Sequence, residues 1–105
     1  MKALIICQFA ITSKNMITKI IKYTEEFKSG IEVECASVSE ISELPFENYD
    51  IVLLAPQIRN YLSAVSEKCN ELDIPVDVID VVAYGLQDAK KVVSQIENRM
   101  NTINS

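Results

Sequence analysis

The sequence predicts an α/β fold in which a single open four-stranded parallel sheet, with strand order 2-1-3-4, has helices on both faces. Strand-like and helix-like segments alternate along the chain, as they do in parallel sheets whose strands are joined by helical crossovers. Two continuous apolar runs, ALII at residues 3–6 and IVLLA at residues 51–55, are typical of strands buried on both faces. The length of 105 residues fits one domain that covers residues 1–105.

In the first half of the chain, the strand at residues 3–6 is followed by a helix, an edge strand and a polar connection. Apolar residues recur at helical spacing over residues 13–29, and Gly30 stands where a glycine ends many helices. Residues 31–36 alternate between apolar and polar side chains, which favours a half-exposed edge strand. The connection after it contains a predicted helical turn at residues 39–44. The expected apolar face of the helix contains Met16, Ile17, Ile20, Ile21, Thr24 and Phe27.

The second half of the chain shows the order strand, helix, strand, helix. Pro56 follows the buried run at residues 51–55 and suits the first turn of a helix. The segment VDVIDVV at residues 76–82 predicts the fourth strand, which Gly85 ends. Asp88 falls in the first turn of the last helix, where an acidic side chain is favourable. The expected apolar stripes of the two helices are Ile58, Leu62, Val65, Cys69 and Leu72, and Ala89, Val92, Val93, Ile96, Met100 and Ile103.

The residue types present exclude several kinds of site. The chain has no histidine, so it holds no serine–histidine or cysteine–histidine catalytic pair. Its three cysteines, Cys7, Cys35 and Cys69, are widely spaced and odd in number, which argues against a disulfide framework and against zinc. We therefore expect no metal and no cofactor. No apolar run reaches the roughly 18 residues of a membrane span, and Gln8 interrupts the stretch that most resembles a signal peptide. We interpret the protein as cytoplasmic.

Charge is distributed unevenly along the chain. The net charge is −5, and the first acidic residue is Glu25. The four lysines before it give +4, so the remaining residues sum to −9. An acidic chain is a poor binder of nucleic acids, and we expect none as a partner. A positive end around Cys7 instead favours an anion there.

Cys7 ends the first strand, at the carboxyl edge of the sheet where open α/β folds bind ligands. The backbone N–H groups of a strand-to-helix loop and of the helix N-terminus form a cradle for anions. A thiol in such a cradle has its thiolate stabilised and becomes a better nucleophile. Thr12 and Ser13 offer hydroxyl groups to an oxyanion, and Lys14 opposes the helix dipole unless an anion lies nearby. The pattern predicts that Cys7 is a nucleophile beside a phosphate site.

Other interpretations of the cysteines are open. Cysteine is often a small buried core residue, and we interpret Cys35 and Cys69 in that way because both lie in apolar stripes. Phosphatases of low molecular weight place Cys-x5-Arg in this kind of loop, but here Ser13 stands at the position of the arginine. A receiver domain would need an aspartate where this chain has Ala55. A phosphoryl carrier fits better, because it needs a nucleophile and a cradle but no group that promotes hydrolysis.

Three stretches resemble a known family: LIICQFAITS, IVLLAPQIRNYL and VDVIDVVAYG. On these, the chain resembles the enzyme IIB component of the lactose/cellobiose (chitobiose) family of the bacterial phosphoenolpyruvate-dependent sugar phosphotransferase system, nearly end to end. The resemblance implies a phosphotransferase in which Cys7 accepts a phosphoryl group from a phosphohistidine of the IIA protein. It then implies transfer to a β-glycoside of the lactose, cellobiose or chitobiose type, held by the membrane permease IIC. The protein would be cytoplasmic and associate with the membrane through IIC, and we expect a monomer.

The same resemblance assigns phosphate binding to the loop after the nucleophile. Its residues are Gln8, Phe9, Ala10, Ile11, Thr12, Ser13 and Lys14. The family loop has a glycine where this chain has Ala10, and an alanine is strained if that position needs a positive φ. Gln57 and Tyr84 are candidate contacts at the edge of the site or with a partner. Two alternatives are a non-catalytic regulatory module on the same fold, which Ala10 favours, and a hydrolase that resembles the phosphatases of low molecular weight.

Overall fold

The computed structural model describes residues 1–8, 14–26 and 30–104, with side chains for residues 1–8, 16–26 and 30–100. The strands are β1 (Lys2–Cys7), β2 (Glu32–Ser37), β3 (Ile51–Leu54) and β4 (Val76–Val78). The α-helices are α1 (Lys14–Glu26), α2 (Leu62–Asn70), α3 (Val81–Gly85) and α4 (Ala89–Asn104). Short 3₁₀ helices cover Val38–Glu43, Phe46–Asn48 and Pro56–Tyr61. The first of these confirms the helical turn that the sequence predicts between β2 and β3.

The four strands form one parallel sheet in the order β2-β1-β3-β4, which confirms the predicted fold class. β1 lies inside the sheet, where Ala3 pairs with Val33 on one side and with Ile51 on the other. This position explains why the first apolar run is continuous, since an inner strand of a parallel sheet is buried on both faces. It also places the carboxyl end of β1 in the middle of one sheet edge.

Helices cover both faces of the sheet, and each face has its own core. Side chains alternate along a strand, so Ile5 and Leu53 pack with α1 and α4 on one face. Leu4 and Leu54 pack on the other face, against α2 and the 3₁₀ segments. Among the described residues, no helix is both long and apolar enough to cross a lipid bilayer.

The fourth strand is shorter than the sequence predicts. We expected a strand over residues 76–82, but β4 ends at Val78, and Val81 begins α3. The physical reason is Asp80, whose carboxylate accepts a hydrogen bond from the backbone N–H of Ala83 at 2.9 Å and so caps a helix. Gly85 therefore ends a helix and not a strand.

Among the described residues of the predicted apolar stripes, two lie at the surface. Leu72 is 45% exposed because α2 ends at Asn70 and the chain turns through Asp73, whose φ is 57°. Ile21 is 37% exposed on α1. Gly30 has a φ of 75°, as expected for a glycine that follows a helix. The predicted core residue Phe27 lies outside the described residues, and so does the side chain of Ile103.

Gln95 protects the exposed edge of the sheet at β4. From α4, its amide nitrogen donates to the carbonyl oxygen of Val78 at 2.7 Å, and its amide oxygen accepts from the N–H of Asp80 at 3.0 Å. The same nitrogen donates to the Asp77 carboxylate at 3.1 Å. We expect Gln95→Ala to lower the free energy of unfolding by about 1–2 kcal/mol, because the half-buried carbonyl of Val78 and carboxylate of Asp77 lose their partner. Urea denaturation measures this loss. Ser94→Ala, at an exposed position on the same helix, is the control, and an equal loss in both variants would contradict the interpretation.

Candidate functional site

The site begins at the carboxyl end of β1. The chain leaves β1 through α1 to reach β2, whereas it leaves β3 through α2 to reach β4 on the other side of the sheet. The strand order therefore reverses between β1 and β3, and in open α/β sheets the crevice at such a point is the usual place for a ligand. Cys7, the last residue of β1, lies beside it.

The Cys7 sulfur lies between two groups of β2. Its Sγ is 3.6 Å from the Sγ of Cys35 and 3.5 Å from the carbonyl oxygen of Ala36, to which the thiol can donate. The side chain of Cys7 is 1% exposed, and that of Cys35 is half-buried. The β2 strand thus fixes the position of the candidate nucleophile from one side.

Ser37 connects the start of the candidate phosphate loop to the neighbouring 3₁₀ helix. Its hydroxyl donates to the carbonyl oxygen of Gln8 at 3.2 Å and accepts from the N–H of Ser39 at 3.4 Å. The N–H of Ser37 donates to the Glu40 carboxylate at 2.9 Å, which completes a capping box. Because Ser37 pairs with Cys7 in the sheet, this cap fixes the backbone next to Cys7.

Tyr84 is a titratable side chain whose pKa depends on the two thiols. It lies half-buried in α3. Burial raises the pKa of the Tyr84 phenol, and the negative charges of the Cys7 and Cys35 thiolates raise it further. Tyr84 therefore lies close enough to both sulfur atoms to interact with them electrostatically.

Of the remaining predicted site residues, the structure describes the side chains of Gln57 and Gln8 and leaves the others undescribed. Gln57 is exposed in the 3₁₀ helix Pro56–Tyr61, directly after the carboxyl end of β3. Gln8 is exposed next to Cys7. Lys14 is the first residue of α1, but its side chain is outside the described part of the structure. The candidate phosphate-binding residues Phe9, Ala10, Ile11, Thr12 and Ser13 also lie outside the described residues.

Sequence reasoning missed two residues of this site. We interpreted Cys35 as structural, yet its sulfur contacts that of Cys7; the contact follows from the register, in which Cys35 pairs with Ile5, two residues before Cys7. The sequence analysis places Ser37 in the polar connection after residues 31–36 and gives it no role in the site. The order Ser-x-x-Glu from Ser37 to Glu40 is the pattern of a capping box and was the available signal.

Comparison with known proteins agrees with this geometry. Residues 2–95 match the family model described as "PTS system, Lactose/Cellobiose specific IIB subunit". The chain belongs to this family. It is thus a IIB component of a sugar phosphotransferase system, and the resemblance seen in the sequence is confirmed.

Individual relatives of this IIB component cover nearly its whole length. The oligo-β-mannoside-specific EIIB component of Bacillus subtilis (strain 168) is 28% identical over 94 residues, which is 90% of this chain and 90% of the relative. A cellobiose-specific IIB component of Borrelia burgdorferi superposes with a TM-score of 0.77 at 26% identity, covering 97% of this chain and 93% of that one. The lactose-specific IIB domain of Streptococcus pneumoniae has a TM-score of 0.80 at 18% identity, covering 94% and 96%, and supports the fold.

Proposed function

We propose that this IIB component is a phosphoryl carrier whose nucleophile is Cys7. The Cys7 thiolate attacks the phosphorus of a phosphohistidine on the IIA protein, the P–N bond breaks, and the imidazole leaves as the S–P bond forms. A sugar hydroxyl then attacks the same phosphorus and gives its proton to water, the S–P bond breaks, and the Cys7 thiolate leaves. The observation that supports the proposal best is the position of Cys7 at the end of an inner strand, where the strand order reverses.

The groups around Cys7 suit a carrier. The loop of residues 8–14 would hold the phosphoryl oxygens through backbone N–H groups at the start of α1, as helix N-termini do. Gln57 and Tyr84 would border the site or contact a partner. The chain has no histidine that could act as a general base toward water. A phosphoryl group on Cys7 would therefore persist long enough to be passed on.

The partners follow from the proposed reaction. IIA would supply the phosphoryl group, and the membrane permease IIC would hold the sugar that receives it. The relatives named above carry the names of different sugars, namely oligo-β-mannoside, cellobiose and lactose. We propose that the acceptor is a β-glycoside of this general kind, and that the protein is a cytoplasmic monomer that meets the membrane through IIC.

A mass measurement tests the proposal directly. The wild-type protein is incubated with phosphoenolpyruvate, the general phosphotransferase proteins and IIA, and its intact mass is recorded, followed by peptide mapping. We expect one phosphoryl group, located on Cys7, that is absent when IIA is omitted. No phosphoryl group with an active, matched IIA would support a regulatory module instead. Continuous turnover of an aryl phosphate would support a hydrolase.

A charge placed on Ser37 should slow the transfer. Ser37→Asp and Ser37→Asn have nearly the same shape, and both can accept the hydrogen bond from the Ser39 N–H that caps the 3₁₀ helix, although only the asparagine keeps a donor for the Gln8 carbonyl oxygen. Only the aspartate adds a negative charge beside Cys7, its partner in the sheet. We expect phosphorylation by IIA to be about tenfold slower in Ser37→Asp than in Ser37→Asn at low salt, because the carboxylate repels the incoming phosphoryl group. Stopped-time mass measurements give the two rates.

Salt distinguishes this charge effect from a change of structure. The ratio of the two rates should approach one as the ionic strength rises, since salt screens partly exposed charges. Equal rates for the two variants at low salt would contradict a phosphoryl group bound next to Ser37. Urea denaturation of both variants checks that they are equally folded.

A further inference from the structure

The sulfur atoms of Cys7 and Cys35 are in contact across two neighbouring strands. Their separation is 3.6 Å, and a disulfide bond would shorten it by about 1.5 Å. We propose that Cys7 and Cys35 are a site of reversible oxidation, at which a hydroperoxide converts the two thiols into a disulfide. The proposal of this bond rests on the geometry of the two thiols alone. Its effect on phosphoryl transfer rests on the function proposed above.

The strand register holds the two sulfur atoms in place. Cys35 pairs with Ile5, and Cys7 pairs with Ser37, so the two cysteines are offset by two residues on hydrogen-bonded strands. β1 is an inner strand and β2 is the edge strand beside it, and the two sulfur atoms are in contact in the folded protein. Residues offset by two on neighbouring strands have Cα atoms about 7–8 Å apart, so bond formation requires a small approach of the two strands as well as rotation of the side chains.

The third cysteine is in a different environment. Cys69 lies in α2 and is fully buried in the core between the sheet and this helix. Burial raises the pKa of its thiol to about 11, so it is almost entirely protonated near neutral pH. A protonated thiol is a poor nucleophile, and Cys69 therefore serves as an internal control for cysteine oxidation.

The oxidation balances with one hydroperoxide. Cys35 is the more exposed of the pair, so its thiolate attacks the peroxide O–O bond and becomes a sulfenic acid, releasing water or an alcohol. The Cys7 thiolate then attacks the Cys35 sulfur, and the hydroxide leaves and takes a proton to form water. Two thiols lose two electrons and two protons, and the peroxide accepts both. A dithiol reductant reverses the change.

The disulfide and the phosphoryl group compete for one atom. In the disulfide, the Cys7 sulfur is bonded to the Cys35 sulfur and is no longer a thiolate, so it cannot attack phosphohistidine. Conversely, a phosphorylated Cys7 cannot attack the oxidised Cys35. Oxidation would thus stop sugar phosphorylation. Phosphorylation of Cys7 would in turn protect the protein from forming the disulfide.

The test compares the wild type with Cys35→Ser and Cys69→Ser. Each protein is treated with limiting hydrogen peroxide, its remaining thiols are alkylated, and it is digested without reduction for mass analysis. In the wild type and in Cys69→Ser we expect a linked pair of peptides containing Cys7 and Cys35, with the loss of two hydrogen atoms. Cys35→Ser should give no linked peptide. Cross-links between molecules or to Cys69, or sulfinic acid on Cys7 without any cross-link, would overturn the proposal.

Phosphoryl transfer gives a second readout. Wild-type transfer should be lost with the same time course as the cross-link appears, and dithiothreitol should restore it. Transfer in Cys35→Ser, measured relative to the same variant before treatment, should survive the same peroxide dose, and inactivation of that variant at the wild-type rate would count against Cys35 as the first target. If no transfer occurs even before oxidation, the proposed function fails, while the linked peptides still decide the disulfide.

Discussion

Replacing Cys7 with serine should lower phosphoryl transfer from IIA by at least about a thousandfold, because a serine hydroxyl without a general base is a far weaker nucleophile than a thiolate. The fold should tolerate the change. The serine has nearly the same shape, and its hydroxyl can donate to the Ala36 carbonyl, as the thiol does at 3.5 Å. We expect the free energy of unfolding to change by no more than about 1 kcal/mol. Intact-mass kinetics measure the transfer, and urea denaturation measures the stability.

Cys69→Ser is the matched control, because it makes the same chemical change at another buried cysteine. Cys69 is 0% exposed and packs among apolar residues of α2 and its neighbours. A hydroxyl there should cost about 1–2 kcal/mol of stability and leave the transfer rate near the wild-type value. The two variants therefore have opposite expected profiles. Transfer that survives in Cys7→Ser, or is lost in a folded Cys69→Ser, would contradict the assignment of the nucleophile.

The sheet could be predicted because its inner strands are encoded in local composition. Residues of β1 and β3 are apolar without interruption, and the alternation in β2 marks an edge. The fourth strand shows where this reasoning fails. Val81 and Val82 have strong strand propensity, yet they begin a helix and are 66% and 55% exposed. The hydrogen bond from the Ala83 N–H to the Asp80 carboxylate caps the helix and outweighs that preference. Strand propensity alone does not reveal this cap.

The candidate site was predictable only in part, for a related reason. Cys7 stands at the end of an apolar run, so a local pattern places it at the carboxyl edge of the sheet. The contact with Cys35 depends on how β1 and β2 are aligned, because the register sets which β2 side chains lie beside Cys7. Register arises from packing across the sheet and is not contained in either strand by itself. The same holds for the link from Ser37 to Gln8.

Leu53→Ala should cost the protein about 2–5 kcal/mol of unfolding free energy, as large-to-small substitutions in a packed core do. Leu53 lies in β3, pairs with Ile5 and Asp77, and is 0% exposed. It packs in the core between the sheet and the helices α1 and α4. Its removal leaves a cavity that the sheet cannot close, because β3 is hydrogen-bonded on both sides. Urea denaturation with a two-state analysis gives the loss.

Leu72→Ala tests whether exposure or sequence pattern decides the size of this effect. Helical spacing places Leu72 in the apolar stripe of α2, but the structure leaves it 45% exposed in the turn after that helix. We expect the same substitution to cost no more than about 0.5 kcal/mol there. A loss as large as that of Leu53→Ala would mean that α2 continues to Leu72 in solution and buries it. A small loss supports a helix that ends at Asn70, with the chain reversing at Asp73 to enter β4.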